Sequence, residues 1–323
     1  MRARAQPGGL RQRGVALLVA IILVAIAAML ATAIAWRSSM AARRGTAVFT
    51  VAQGYQLALG SEALAAYMLN DSLKKGQGIV SPTQFWAQPF GPYELDAGAT
   101  FQGEMEDLAG RFNLNSVVTQ AGGTGPFTED QEGVAEFMRL LQLLQIDTGF
   151  AARLVDWIDT DSQATSSGGA EDAYYETLQP PHRVPNRTLT SVSELLAMGM
   201  DRASYDRLRP FVSALPAGTL LNLCTARGEV LDAVSGSQSY AIDPKQLATQ
   251  RSQANCFPDR ATFLSSLTTG AASQVGSRIG SSSKYFRWRA WVTLGTTRFT
   301  LYSLLQQDSA GRIRPLLRTF GTE

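Results

Sequence analysis

Histidine and cysteine are scarce in this 323-residue chain, which limits the chemistry that it can perform. His182 is the single histidine, and the two cysteines, Cys224 and Cys256, have no CxxC neighbour. A structural zinc site needs about four nitrogen or sulfur ligands, so the composition argues against one. The motifs GxSxG and HExxH and a glycine-rich phosphate loop are also missing. We therefore expect no enzymatic activity.

The chain also lacks a strong excess of charge of either sign. It has 29 basic and 27 acidic residues, and four of the basic ones, Arg2, Arg4, Arg11 and Arg13, precede Gly14. Residues 221–231 resemble part of a helix-hairpin-helix motif, but no cluster of lysine or arginine accompanies them. A near-neutral chain gives no electrostatic basis for binding nucleic acid. We expect a helical packing module there and no nucleic-acid partner.

What the chain does have is an uncharged, almost wholly apolar run from Val15 to Trp36. A helix of this length spans about 33 Å, and the hydrocarbon core of a bilayer is about 30 Å thick. Apolar residues continue at helical spacing to about Leu73, and no proline occurs between Val15 and Pro82. We predict one helix over 15–75, with 15–36 in the membrane and 37–75 beyond it.

Three interpretations of the amino terminus are open. A secretory signal peptide could be cut at the small residues of 31–35, but the apolar run is too long and the helical pattern continues past it. An ordinary single-span anchor leaves the glycine at position 14 unexplained. The third rests on Arg13-Gly14-Val15, which resembles a prepilin peptidase site. That resemblance implies removal of the leader 1–14 by cleavage between Gly14 and Val15, and N-methylation of Val15. We favour the third interpretation.

Val19 departs from the pilin pattern. Most pilin-like proteins carry a glutamate as the fifth mature residue, where it pairs with the amine of a neighbouring subunit, and this chain has Val19 there. A buried carboxylate is costly unless it is paired. A subunit without it cannot make this pairing, so we expect it at the end of a filament and not within it.

Beyond the first helix, strand and helix patterns are segregated along the chain. Residues 99–107 alternate between apolar and polar, residues 130–211 have helical periodicity, and residues 285–320 read as a three-strand meander with an edge strand at Pro315. A proline-rich loop is expected between the first helix and residue 99, and a mobile loop at 270–283. We predict an α+β, type IV pilin-like fold: a long amino-terminal helix packed on a small antiparallel sheet (76–115 and 284–323), with a large, mainly helical domain (116–283) inserted between strands.

Four segments, in this order, resemble the K-type minor pseudopilin of type II secretion systems (general secretion pathway protein K). They are the Gly14-Val15 junction, residues 107–115, the acidic segment 156–172 and residues 211–216. The resemblance covers nearly the whole chain. It implies a position at the pseudopilus tip with the I-, J- and H-type minor pseudopilins, a role in starting assembly, and contact with exported cargo.

Carboxylates are concentrated in the acidic segment, which contains no lysine or arginine. Calcium takes six to eight oxygen ligands, and clustered carboxylates on a loop can supply them. The spacing does not match an EF-hand, and the residues alone leave a solvated acidic loop equally open. The pseudopilin resemblance favours a structural calcium ion. The predicted ligands are Asp159, Asp161, Glu171, Asp172 and, with less support, Asp156.

The remaining expectations concern the cysteines and the location of the protein. In an exported domain, Cys224 and Cys256 are expected to form one disulfide, which would contribute about 3–4 kcal/mol, with two free thiols as the alternative. We expect a single-pass protein of the bacterial inner membrane, in contact with membrane lipid and prepilin peptidase, whose carboxy-terminal domain lies in the periplasm. The alternative function is a membrane-anchored, pilin-like binding protein of DNA uptake or surface pili.

Overall fold

The computed structural model describes residues 13–95, 98–165 and 168–321. The first helix, α1, runs from Arg13 to Lys75, so the predicted long helix is present. It ends before Gly76, whose N–H donates to the Ser72 carbonyl at 2.9 Å. Within the apolar run, the Thr32 hydroxyl donates to the Ala28 carbonyl at 2.8 Å. No polar group of that side chain is therefore left without a partner in an apolar environment.

The chain falls into two compact units, one ending at Leu57 and the other beginning at Ala58. In chain order, the elements of the second unit after α1 are β1 (Phe90–Leu95), β2 (Ala99–Asp107), β3 (Phe112–Asn113), β4 (Val118–Gln120), β5 (Phe127–Glu129), α2 (Gln131–Leu143), α3 (Phe150–Ile158), α4 (Asp172–Tyr175), α5 (Glu194–Ala197), α6 (Arg202–Leu208), β6 (Val212–Ser213), β7 (Leu221–Asn222), α7 (Gly228–Ser235), α8 (Pro244–Gln253), α9 (Arg260–Ser265), α10 (Thr269–Gly276), β8 (Ile279–Gly280), β9 (Tyr285–Leu294), β10 (Thr297–Gln307) and β11 (Ile313–Phe320). Short 3-10 turns lie between several of these elements.

An antiparallel five-stranded sheet has the strand order β1-β2-β9-β10-β11, and Trp288 Nε1 of β9 donates to the Ser61 hydroxyl of α1 at 3.4 Å. Trp288 of β9 is buried beneath Gly103 of β2, where an added Cβ would lie 2.2 Å from the indole ring. Only glycine leaves room for that ring at this position. The predicted strand 99–107 and the three carboxy-terminal strands are confirmed. The sequence missed β1, because Pro92 is tolerated on a strand at the sheet edge.

An ion pair between a buried glutamate and a half-exposed arginine joins α1 to the last strand. Glu62 of α1 is 4% exposed, and its carboxylate accepts two hydrogen bonds from Arg318 of β11, from Nε at 2.8 Å and from Nη2 at 2.7 Å. The Ser303 hydroxyl of β10 donates to the same carboxylate. This bidentate, fully hydrogen-bonded arrangement is what makes burial of a carboxylate tolerable.

The segment between β2 and β9 forms the inserted helical region, and it has a core of its own. That core includes Phe137 and Leu140 of α2 and Leu154 of α3. Phe112 and Leu114, which the prediction assigned to the sheet domain, belong to this core instead. The reason is that β3 leaves the sheet and pairs in parallel with β6, so the insert begins a few residues before the predicted boundary.

A second core cluster corrects the prediction of a mobile loop at 270–283. This stretch contains the helix α10 and the strand β8, and β8 pairs in parallel with β7. Val275 and Ile279 are buried there with Leu223 and Phe263. Burial of these two apolar side chains therefore stabilises regular structure in a stretch whose glycine and serine content is typical of a loop. Residues 221–222, predicted to be part of a helical hairpin, form the strand β7.

Candidate metal centre

Asp156 organises the acidic loop that follows α3. Its side chain is completely buried. One carboxylate oxygen accepts hydrogen bonds from the Thr165 N–H at 3.0 Å and from the Thr165 hydroxyl, and the other accepts from the Ala170 N–H at 2.7 Å. A single carboxylate on α3 thereby holds two points of the loop, one on either side of its middle. These hydrogen bonds fix the chain at Thr165 and Ala170, although the composition of the segment is typical of a flexible one.

Three carboxylates converge where this loop leaves and rejoins the helices. Asp159 follows the last residue of α3, Asp161 lies two residues later, and Glu171 immediately precedes α4. One oxygen from each of these residues, here called the carboxylate trio, lies within 4.8 Å of the others. Asp159 Oδ1 and Glu171 Oε1 are buried and have no hydrogen-bond partner among the described residues. Buried acceptors of this kind are rare unless an ion or a water satisfies them.

The electrostatics of the trio are unfavourable without a counter-charge. Burial, reinforced by the negative charges of Asp161 and Asp156, raises the pKa of Asp159 to about 6. Burial and the nearby charges of Asp156 and Asp159 raise the pKa of Glu171 to about 7. Each carboxylate thus destabilises the ionised form of its neighbours. A bound cation would remove this penalty.

The donor set can be tested against the requirements of a metal ion. Calcium binds oxygens at about 2.3–2.6 Å, so two ligands on opposite sides of one ion lie roughly 5 Å apart. The trio meets this limit, since its oxygens lie within 4.8 Å of one another. All three donors are carboxylates, which suit calcium, magnesium or manganese better than softer metals. These residues therefore fit an oxygen-preferring divalent cation.

Two of the predicted ligands lie outside the trio. Both oxygens of Asp156 are engaged by the loop, so this residue positions the site. Asp172 is the first residue of α4, and its Oδ1 accepts from the Val184 N–H at 3.0 Å while its Oδ2 lies 3.9 Å from Arg183 Nε. Glu171 precedes α4 with an extended backbone, whereas Asp172 is the first helical residue and its carboxylate faces residues 183 and 184.

Glu129 is a residue near the trio that the sequence did not single out. It ends β5, and its charge is one of those that raise the pKa of Asp159. Thirty residues separate the two in the chain, and the pairing of β5 with β4 sets where β5 ends. Spacing within the acidic segment could not have revealed this neighbour.

The cysteines and the amino-terminal residues lie elsewhere in the chain. Cys224 and Cys256 form a disulfide, and Cys224 is completely buried beside the second core cluster. Gly14, Val15 and Val19 lie within α1, where Val15 and Val19 are 65% and 48% exposed. The predicted leader falls mostly outside the described residues, whereas the helix from Val15 is long and apolar enough to cross a membrane.

A long helix that begins with a candidate membrane anchor and then packs on an antiparallel sheet, with a helical region inserted between the second strand and the last three, defines a pilin-like protein. The family described as type II secretion system (T2SS), protein K, matches residues 110–217. Type II secretion system protein K of Pseudomonas aeruginosa is 34% identical over 96% of this chain and 93% of that protein. The Aeromonas hydrophila protein of the same name is 31% identical over 98% of this chain and 99% of its own length. The chain belongs to the type II secretion system protein K family.

A solved structure has the same fold. It comes from the GspK-GspI-GspJ complex of the enterotoxigenic Escherichia coli type 2 secretion system, and it matches with a TM-score of 0.70 at 24% identity. The match covers 84% of this chain and 98% of that one. The predicted α+β fold with a helical insert is therefore confirmed.

Proposed function

We propose that this protein is a membrane-anchored minor pseudopilin, which stands at the tip of the type II secretion pseudopilus and starts or caps its assembly. In that role it supports the export of folded proteins across the outer membrane and catalyses no reaction. The observation that carries the proposal is the near full-length relation to type II secretion system protein K. The uncharged Val19 adds a physical reason for a terminal position, since it offers no carboxylate to the amine of a neighbouring subunit.

The proposed partners are the I-, J- and H-type minor pseudopilins. Support for the first two comes from the related chain, which was solved in a complex with GspI and GspJ. We expect the full-length chain to form a stable ternary complex with I- and J-type subunits, measured by co-purification and native mass spectrometry. Binding to DNA that weakens steeply with added salt, without a ternary complex, would instead favour the DNA-uptake alternative.

The processing of the amino terminus offers a separate prediction. We propose a single-pass inner-membrane protein with its carboxy-terminal region in the periplasm, cut after Gly14 on the cytoplasmic side. Intact-mass and peptide mass spectrometry of the mature chain should find an amino terminus at methylated Val15 when prepilin peptidase is present, and the uncut leader when it is absent. A mature chain that starts at Ile34 or Trp36 would identify a signal peptide and contradict the pilin-like leader.

We also propose that the carboxylate trio binds a structural calcium ion, with Asp159, Asp161 and Glu171 as side-chain ligands. The convergence of their oxygens and the two unpartnered buried atoms support this. The ion would supply positive charge to the loop that Asp156 positions. Asp156 and Asp172 would support the site without contacting the ion.

Calcium removal should lower the melting temperature of the full-length chain in nanodiscs. At a calcium concentration of about 100 times Kd, binding contributes about 2.7 kcal/mol, which corresponds to a shift of roughly 5–10 °C for a region of this size. Differential scanning fluorimetry with chelator and with calcium restored measures the shift. The variant D159N/E171Q should lose the response, and the control D206N/E229Q should keep it. If wild type shows no shift, the trio does not hold a structural ion.

A further inference from the structure

The first 61 residues contain no aspartate or glutamate, and the first acidic residue is Glu62. Between Val15 and Glu62 the only charged residues are Arg37, Arg43 and Arg44, all exposed on α1. Glu62 itself is buried and paired with Arg318. Positive charge in this part of α1 is therefore not balanced by any acid nearby in the sequence.

Arg37 follows directly on the apolar run, and Arg43 and Arg44 lie about two helical turns further along α1. Trp36, at the end of that run, is 65% exposed. Seven residues are close to two turns of an α-helix, so Arg37 and Arg44 lie on one face, about 10.5 Å apart along the axis. Arg43 lies on the face of Trp36 for the same reason. The arginine cluster comprises Arg37, Arg43 and Arg44 together with Trp36.

We propose that the arginine cluster binds the phosphates of anionic phospholipids where α1 leaves the bilayer. This rests on the proposal that the run from Val15 to Trp36 spans the membrane. The run is about as long as the hydrocarbon core is thick, so the next residues lie at the level of the headgroups. Tryptophan is enriched at that level, and arginine extends its guanidinium to the headgroups from either side.

The guanidinium groups and their position beside the membrane favour the phosphate of a lipid over other anions. A guanidinium donates two parallel hydrogen bonds to phosphate oxygens, and it is weakly hydrated, which suits an interface. The helix fixes the cluster beside the membrane, where lipid phosphate is concentrated and a free ion is not. Because the guanidinium groups lie on two faces of α1, we expect more than one lipid to be held.

The experiment uses the full-length chain in nanodiscs that contain phosphatidylglycerol and phosphatidylethanolamine. Native mass spectrometry after gentle release counts the lipids that stay bound, and a titration of phosphatidylglycerol into the detergent-solubilised chain gives an apparent Kd. An arginine near an anionic surface contributes about fivefold in affinity. We expect R37Q/R43Q/R44Q to bind phosphatidylglycerol at least tenfold more weakly than wild type and to lose its enrichment over phosphatidylethanolamine.

The matched control is R187Q/R209Q/R298Q, which replaces three exposed arginines far along the sequence from the apolar run. This variant should bind lipid as wild type does.

Inorganic phosphate at the same concentration should not displace the lipid. Displacement would identify a site for a free ion and overturn the proposal. A triple variant that keeps its lipids but loses the complex with I- and J-type subunits would also overturn the proposal, because the arginines of the wild-type chain would then contact protein. A chain that does not enter nanodiscs overturns the membrane anchor as well, whereas insertion without enrichment overturns only the lipid site.

Discussion

Replacing Asp156 with alanine is expected to lower the free energy of unfolding by about 3–5 kcal/mol, because it leaves buried donors without an acceptor. The Thr165 and Ala170 N–H groups both donate to this completely buried carboxylate. With the carboxylate gone, the loop is no longer held at either point, and the trio loses the geometry that brings Asp159 and Glu171 together. The variant should therefore also lose its response to calcium.

Urea unfolding of the full-length chain, followed by circular dichroism, measures the change. The conservative variant D156N retains one acceptor oxygen and places an amide where the other stood, so we expect a smaller loss. As a control, D206A removes an exposed carboxylate that pairs with Arg202, and such surface pairs contribute about 0–1 kcal/mol. A loss below about 1 kcal/mol in D156A would show that the loop does not depend on this residue.

The second large effect is expected from the disulfide. Removing it in C224S/C256S should cost about 3–4 kcal/mol, because the bond closes a loop of roughly 30 residues in the unfolded chain. The cost should be confined to the second core cluster around Leu223 and Phe263. Hydrogen exchange measured by mass spectrometry locates the loss of protection.

The calcium response provides an internal control for this variant. The trio lies in the loop between α3 and α4, and these two helices pack in the core of the inserted helical region, not in the second core cluster. C224S/C256S should therefore keep the calcium-dependent shift in melting temperature while its baseline stability falls. A variant as stable as wild type under oxidising conditions would show that the two thiols need not be joined.

The elements with strong periodicity were predictable from the sequence. The apolar spacing of α1 and the alternation of 99–107 each follow from the geometry of one regular element, and the structure has both. The strand β1 was missed because it contains Pro92, which is tolerated there because the strand lies at the edge of the sheet. The helix α10 was missed because its buried residue Val275 packs with Leu223 and Leu231, which are distant in sequence. Local composition does not record such neighbours.

In the acidic segment, likewise, the sequence predicted some features of the site and missed others. Its composition left a cation site and a solvated loop equally open, and the family resemblance favoured the cation site. Three of the five predicted ligands form the trio. Which oxygens face each other depends on the path of the loop, and Asp156 sets that path with hydrogen bonds to Thr165 and Ala170. A carboxylate that positions a loop and one that faces an ion are the same residue type, so sequence alone could not separate them.

The pair between Glu62 and Arg318 has a consequence for biogenesis. The two residues are separated by 256 positions, and β11, which carries Arg318, is the last strand of the described chain. During synthesis, the carboxylate of Glu62 can meet its partner only after the long segment up to Arg318 has been made. The pair can therefore join the helix to the sheet only after Arg318 has emerged, so a chain that stops before Arg318 lacks this contact.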